Sequence, residues 1–244
     1  MNRSEAYLIE MGLWPLYRKR SAMAVTECEF KTEFTASVSD PDNVKLSDER
    51  RTEVANMDWA RLKQTVKDCT VCALRAGCTQ TVFGVGDERA EWLFVGEGPG
   101  AEEDQRGEPF VGQAGRLLDN MLAAIGLKRG ENVYIANIVK CRPPGNRNPA
   151  PEEAAACAPY LARQIELIQP KLIVALGKVS AANLLATDAS IGSLRGKLHH
   201  HRGIPLIATY HPAYLLRSLQ DKAKAWADLC FARSTMAEVR VLHQ

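Results

Sequence analysis

Short apolar runs alternate with helical patterns along most of the chain. Four of these runs are rich in Val, Ile and aromatic residues and end at Gly, Pro or polar residues, which is typical of buried strands; they lie at 91–97, 132–139, 171–177 and 204–211. Apolar residues at helical spacing lie between and around them, at 59–69, 114–127, 151–169 and 180–187. Strands that alternate with helices predict an α/β fold, here a three-layer α/β/α arrangement with a central four-stranded parallel sheet.

The N-terminal segment has a different pattern. Residues 1–20 contain apolar positions at helical spacing, interrupted at Pro15, and predict a short amphipathic helix. Residues 21–52 mix Ser, Thr, Asp and Glu without periodicity, which predicts a flexible linker. We therefore divide the chain into an N-terminal extension at 1–54 and a folded domain at 55–244. The first helix either packs on the domain or acts as a tethered peptide that binds a partner protein.

Charge is nearly balanced over the whole chain but not along it. Lys and Arg number 31 and Asp and Glu 29, so the formal net charge of +2 excludes a uniformly basic, histone-like protein. Residues 193–224 nevertheless contain a single acid, Asp221, and predict a local basic face through Arg195, Lys197, Arg202, Arg217, Lys222 and Lys224. No run approaches the roughly 18 apolar residues of a membrane span, and the first residues lack a secretory pattern. We expect a cytoplasmic, monomeric protein.

Seven cysteines in a chain without a secretory pattern predict a metal site rather than disulfides. Cys69 and Cys72 form a C-x2-C pair, Cys141 follows the second strand, and Cys157 lies in the next helix. Four thiolates suit zinc or a [4Fe–4S] cluster, and the wide spacing of the second pair favours the cluster; scattered core cysteines are the other alternative. The remaining cysteines, Cys28, Cys78 and Cys230, are not assigned as ligands. Cys78 is left out because we place it in a surface loop.

Polar residues follow the predicted strands at the carboxyl edge of the sheet, where α/β folds bind their ligands. Glu97 lies in the loop GEGPG after the first strand, Asn137 ends the second, and His211 ends the last. This loop does not have the pattern of a phosphate-binding loop, because Pro99 lacks a donor and no Lys-Ser/Thr follows. Each of these residues, and Phe110 in the returning segment, also fits a structural role when taken alone. Their shared edge predicts a pocket for a small ligand.

Several motifs occur together in a characteristic order: CTVC, TQTVFGVGD, GEGPG, EDQRGEPFVGQAG, NIVKCRPPGNRNP, LIVALG, LRG and TYHPAYLLR. Over about residues 60–232 the chain resembles the family 4 uracil-DNA glycosylases of bacteria and archaea. The resemblance implies that the protein flips uracil out of DNA, hydrolyses its N-glycosidic bond and leaves an abasic site for base excision repair. It also implies a [4Fe–4S] cluster rather than zinc, held by Cys69, Cys72, Cys141 and Cys157.

The same resemblance implies a role for each pocket residue. Glu97 would position or activate the hydrolytic water, and His211 would donate a hydrogen bond towards uracil O2. Asn137 would bind the polar edge of uracil, Gly98 would contact the base through its backbone, and Phe110 would stack on the flipped base. The N3–H and O4 groups of uracil can form hydrogen bonds with the Asn137 amide, whereas cytosine presents the wrong donor and acceptor.

A DNA-binding surface is implied around the loop that follows His211. Tyr214 or Leu215 would wedge into the gap left by the flipped base. Residues assigned to this surface are Arg195, Tyr214, Leu215 and Arg217. We further expect a nucleoid-associated bacterial enzyme, with residues 1–20 available to a replication or repair partner.

Two alternatives follow from related patterns. A glycosylase type that bonds covalently to uracil-DNA has GEQPG and an inserted basic loop; Gly98 and the uninterrupted segment LRGKLHHHRGIP, whose histidines we interpret as a solvated turn, argue against it. A non-catalytic iron–sulfur DNA-binding or redox-sensing protein would need the cysteines and the basic face, but not Glu97, Asn137 and His211 together.

Overall fold

The structure, a computed structural model, describes residues 41–242, and of residues 41–47 and 242 only the backbone. The predicted helix at 1–20, Cys28 and most of the predicted linker lie outside the described residues. The chain divides into two compact units, Met1–Arg51 and Thr52–Gln244. Helix α1 (Pro41–Ala55) shows that the linker prediction was wrong for residues 41–52. A proline at the first helical position and a polar, glycine-free sequence explain this helix. The division after residue 54 stays a prediction.

Strands and helices alternate in the larger unit, as predicted. Its elements in chain order are helices α2 (Trp59–Lys67) and α3 (Leu74–Gly77), strands β1 (Val85–Gly86) and β2 (Trp92–Gly96), helices α4 (Ala101–Arg106) and α5 (Gln113–Ala124), strand β3 (Val133–Asn137), helix α6 (Pro151–Ile168), strand β4 (Leu172–Leu176), helices α7 (Lys178–Leu185) and α8 (Ile191–Leu194), strands β5 (Leu198–His201) and β6 (Ile204–Thr209), and helices α9 (Pro212–Leu215) and α10 (Lys222–Leu242). None of the helices between residues 41 and 242 combines the length and apolar character needed to cross a membrane.

The strands form one sheet in the order β1-β3-β2-β4-β6-β5. The middle four strands are parallel, which confirms the predicted central sheet. Two antiparallel edge strands, β1 and β5, were not predicted. Strand β5 contains the three histidines that we interpreted as a solvated turn; His199 Nε2 and His201 Nδ1 lie 2.8 and 2.7 Å from the backbone oxygens of Leu194 and Leu184. An edge strand with so few apolar residues has no hydrophobic signature in the sequence.

Each central strand is apolar on both faces. Leu93 and Val95 of β2 pack in the core with α2, α6 and α7, whereas Trp92 and Phe94 pack in the core with α5 and α10. Because both faces are covered, these strands read as continuous apolar runs rather than alternating ones. The three-layer α/β/α prediction is therefore confirmed.

The sheet brings the ends of neighbouring parallel strands together. In the register of β2 and β3, Gly96 pairs with Asn137. The loop 97–100 then leads into α4, and the chain after β6 leads through His211 into α9. Glu97, Asn137 and His211 thus come from three different strand ends at one edge of the sheet.

Candidate active site

A pocket opens at this carboxyl edge, with about 1130 Å³ of empty space when its mouth is included. It is lined by all the residues predicted for the uracil site: Glu97, Gly98, Phe110, Asn137 and His211. Sequence reasoning missed other lining residues, among them Glu103 and the 146–148 segment. They lie within the motifs EDQRGEPFVGQAG and NIVKCRPPGNRNP, but the motifs do not show that these side chains reach the pocket, because that depends on the fold.

Gly96 allows the aromatic ring and the amide of the pocket to meet. A Cβ atom on Gly96 would lie 2.4 Å from Asn137 Oδ1 and 2.6 Å from Phe110 Cζ. Real Cβ atoms do not approach other atoms so closely, so any other residue here would displace the amide or the ring. The first glycine of GEGPG therefore determines the shape of the pocket rather than binding phosphate.

Asn137 carries an unsatisfied acceptor. The residue is 2% exposed, and its Oδ1 is buried without a hydrogen-bond partner among the described residues. A buried polar atom without a partner costs about 1–3 kcal/mol. A ligand that brings an N–H donor to this oxygen would remove that cost, so the amide is arranged for a donor on the ligand.

His211 is held as a neutral imidazole. Its Nδ1 accepts a hydrogen bond from the backbone N–H of Ala213 at 3.1 Å, which leaves the ring proton on Nε2. Burial lowers the pKa of His211 to about 4, with the positive charge of Arg217 adding to the effect. The Phe110 ring lies beside it, with centroids 5.4 Å apart and a tilt of 30°. At neutral pH, His211 is therefore a hydrogen-bond donor without a charge.

Glu97 directly follows the end of β2, lines the pocket and is half-buried. Burial raises the pKa of its carboxyl group above the ordinary value. A carboxylate in this environment is a stronger base than one in water. Its chemistry suits the activation or orientation of a water molecule.

Two of the residues assigned to the DNA-binding surface have other roles in the structure. Leu215 is 1% exposed and belongs to the core, so the prediction that it contacts DNA was wrong. Arg195 donates to the buried carboxylate of Asp228 at 2.9 and 3.0 Å and lies over the ring of Tyr210. It supports the fold beneath this surface rather than presenting a free charge.

The other two assigned residues lie at the pocket, and their contact with DNA stays a prediction. Tyr214 and Arg217 line the pocket, and the Tyr214 hydroxyl donates to Asp221 at 2.7 Å. Leu216 and Leu219 are exposed nearby and were missed. The run Leu215–Leu216 could not reveal which leucine faces outward, because consecutive residues of a helical turn point in different directions.

The four predicted ligand cysteines line a second, smaller pocket: Cys69, Cys72, Cys141 and Cys157. Burial raises the pKa of Cys157 to about 11 and raises that of Cys141, and neighbouring thiols raise both further. Within residues 41–242, no group of three or more His, Cys, Asp and Glu side chains has the arrangement of a metal-ion site. The four thiols nevertheless come from segments that are far apart in sequence.

Cys78 lies nearer to these thiols than the sequence suggested. It is half-buried and packs against the core, rather than lying in a free surface loop. A hydrogen bond between its side chain and Cys141 contributes to the raised pKa of Cys141. Cys230 lies apart in α10.

Comparison with known proteins identifies the family of this chain. The model of the uracil DNA glycosylase superfamily matches residues 83–230. A type-4 uracil-DNA glycosylase of Archaeoglobus fulgidus is 48% identical over 159 residues, which cover 62% of this chain and 79% of that protein. One of Thermotoga maritima is 46% identical over 165 residues, or 67% and 85%. A type-5 uracil-DNA glycosylase of Thermus thermophilus is 35% identical over 153 residues, or 53% and 68%. The chain therefore belongs to the uracil DNA glycosylase superfamily and, within it, to the type-4 uracil-DNA glycosylases.

Proposed function

We propose that this protein removes uracil from DNA in base excision repair, by flipping the base out and hydrolysing its N-glycosidic bond. Membership in the family supports uracil-DNA glycosylase activity in DNA repair. The observation that carries the base assignment is the buried, unpaired Oδ1 of Asn137 in the pocket that Phe110 also lines. The base must leave the helical stack, because its glycosidic bond is out of reach within a duplex.

Asn137 provides the selection for uracil. Its Oδ1 accepts from N3–H of uracil, and its Nδ2 donates to O4. Cytosine has an acceptor at position 3 and a donor at position 4, so both contacts would fail and leave buried groups unpaired. A site built in this way can reject the wrong partner by factors of about 10⁴. Phe110 offers an apolar face that replaces the stacking lost from the duplex.

His211 and Glu97 act on the two charges that develop in the reaction. Cleavage leaves the bonding electrons on uracil and positive charge on the sugar. The Nε2–H of neutral His211 donates to O2 and stabilises the departing anion. The Glu97 carboxylate stabilises the sugar cation and orients the water that attacks it, which yields an abasic site.

DNA contacts are proposed for the exposed residues around α9. Arg217 places a positive charge at the rim of the pocket, where it can meet a phosphate. We propose that the exposed Leu216 and Leu219, rather than the buried Leu215, enter the gap left by the flipped base. A monomeric, nucleoid-associated enzyme with a partner bound by residues 1–20 stays a prediction.

We also propose that Cys69, Cys72, Cys141 and Cys157 hold a [4Fe–4S] cluster. The shared pocket supports this set, since thiolates are the usual ligands of such clusters. When bound, the cluster would cross-link the segment after α2 to helix α6 and to the segment between β3 and α6. Its role is structural in this proposal, and no step of the hydrolysis passes through it.

Lys140 supports a negatively charged group at the cysteine pocket. It is 1% exposed, and its Nζ donates to two uncharged acceptors, the Asn137 backbone oxygen at 3.0 Å and Gln164 Oε1 at 2.7 Å. Burial lowers the pKa of Lys140 to about 8, and negative charge on Cys157 would oppose this shift. Buried cations need nearby negative charge, which ligating thiolates would provide.

Removing single cysteines tests the ligand set. We expect the purified protein to be brown, with about four irons per chain. Cys141→Ser should lose iron and its visible absorbance, whereas Cys230→Ser, with a cysteine outside the pocket, should keep both. Cys78→Ser tests whether this neighbouring cysteine, which is not among the predicted ligands, holds iron. If Cys78→Ser loses the iron while Cys69→Ser retains it, the assigned set is wrong.

Uracil release from short DNA tests the function. Wild-type protein should release free uracil and leave alkali-sensitive sites in U·G, U·A or single-stranded substrates. Asn137→Ala should slow release about 10–100-fold, because the base loses its polar contacts. A protein that contains iron and binds this DNA, yet leaves it intact, would instead be the non-catalytic iron–sulfur alternative.

A further inference from the structure

Phe110 has an unusual backbone conformation for an aromatic residue. Its φ of 56° lies in the left-handed region, which non-glycine residues adopt only when their surroundings impose it. The residue belongs to the segment between α4 and α5. Gly115 in α5 packs so closely on this segment that a Cβ there would lie 1.8 Å from the Phe110 carbonyl oxygen. The ring orientation therefore depends on whatever holds these peptide groups.

Two charged side chains hold the peptide groups from opposite sides. Glu103 Oε1 accepts from the backbone N–H groups of Val111 and Gly112 at 2.9 and 3.1 Å. Arg129 donates from Nη1 to the Pro109 oxygen at 2.9 Å and from Nη2 to the Phe110 oxygen at 2.8 Å. The carboxylate thus binds the amides that follow Phe110, and the guanidinium binds the carbonyls at and before it.

The two side chains differ in their access to the pocket. Glu103 lines it, and its other oxygen also accepts from the Gly100 N–H at 3.1 Å, so it connects the Phe110 segment to the loop that carries Glu97. Arg129 does not line the pocket, and its Nε donates to Asp119 Oδ1 at 2.9 Å. Arg129 therefore acts on a bound base through the groups it binds, of which the Phe110 carbonyl belongs to a residue that lines the pocket.

We propose that Arg129 and Glu103 are positioning residues that fix the Phe110 ring in the orientation needed to stack on the extruded base. This inference rests on the proposed function. A ring that is already oriented spends no binding energy on ordering when the base arrives. Without Arg129, the segment between α4 and α5 relaxes from the left-handed conformation and the ring loses its preferred orientation. Base binding weakens as a result, while the groups that act on the glycosidic bond stay in place.

Binding of free uracil to the protein, followed by isothermal titration calorimetry, measures this effect without DNA. Arg129→Gln should bind uracil about tenfold more weakly, a loss typical of charge-assisted hydrogen bonds, and Arg129→Lys should fall between it and wild type. The single-turnover rate at saturating DNA should fall by no more than this factor in both variants, because the groups that act on the glycosidic bond are unchanged. Arg163→Gln is the matched control, because Arg163 is buried to the same degree (side chain 21% exposed against 23%) and donates to the Met57 backbone oxygen at 2.6 Å. It should keep wild-type uracil affinity.

A double-mutant cycle separates positioning from general destabilisation. In a Phe110→Leu background, Arg129→Gln should cause no further loss of uracil affinity, because its target is gone. Equal losses in both backgrounds, or an equal loss in Arg163→Gln, would overturn the inference. So would an unchanged uracil affinity in Arg129→Gln. The proposed function fails differently: the wild-type protein itself would then neither release uracil from DNA nor bind free uracil.

Discussion

Uracil release by Glu97→Gln is expected to be about 10²–10⁴-fold slower than that of the wild type at neutral pH, which is the range for loss of a positioned general base. The substitution keeps the size of the side chain and removes its charge, so it tests the carboxylate rather than the packing. Single-turnover release of uracil from a labelled duplex measures the effect. DNA binding, followed by fluorescence anisotropy, should stay close to wild type.

The pH dependence of the same reaction identifies the group. Wild-type activity should fall on the acid side as Glu97 becomes protonated, at a pH above the ordinary range for a glutamate because burial raises its pKa. His211 is still neutral there, since its pKa is about 4. The acid limb should therefore be absent from the residual activity of Glu97→Gln. Glu102→Gln, in the first turn of the neighbouring helix and outside the pocket, is the matched control and should keep the wild-type profile.

Replacing His211 with alanine is expected to slow release by about 10²–10³-fold, the cost of removing one donor from a developing anion. Because the donor is neutral, wild-type activity should not rise as the pH falls through 6.5, the ordinary pKa of a histidine. Single-turnover rates between pH 5 and pH 8 measure both expectations. His200→Ala, which removes an exposed histidine of β5, should leave the rate unchanged.

A rise in wild-type activity near pH 6.5 that disappears in His211→Ala would contradict this assignment. It would mean that the imidazolium, rather than the neutral ring, donates to uracil. The hydrogen bond from the Ala213 N–H to Nδ1 argues against that form, because a protonated Nδ1 could not accept it.

Much of the scaffold is readable from the sequence alone. The four central strands are buried on both faces, so their apolar runs predict them within two residues of their bounds. In a parallel sheet all carboxyl ends share one edge, so Glu97, Asn137 and His211 could be placed together before any coordinates. The cysteine set followed from spacing together with the resemblance.

Other features depend on contacts between residues that are distant in sequence. The edge strand β5 and helix α1 lack an apolar pattern, and the sequence of α9 does not show that Leu215 faces the core while Leu216 faces solvent. The neutral state of His211 follows from burial and from one backbone hydrogen bond. The hold of Arg129 on Phe110 joins residues 19 positions apart.

The sequence by itself therefore determined the layers of the fold, the edge that carries the site and the chemical groups placed there. Periodic burial and strand direction are local properties that repeat along the chain, so the pattern of residues records them. Only the tertiary structure decided which groups lack partners, which are neutral and which are held in strained conformations. Those properties arise from packing between elements: an unpaired Oδ1 on Asn137 and a left-handed Phe110 exist only when the surrounding strands and helices are in place.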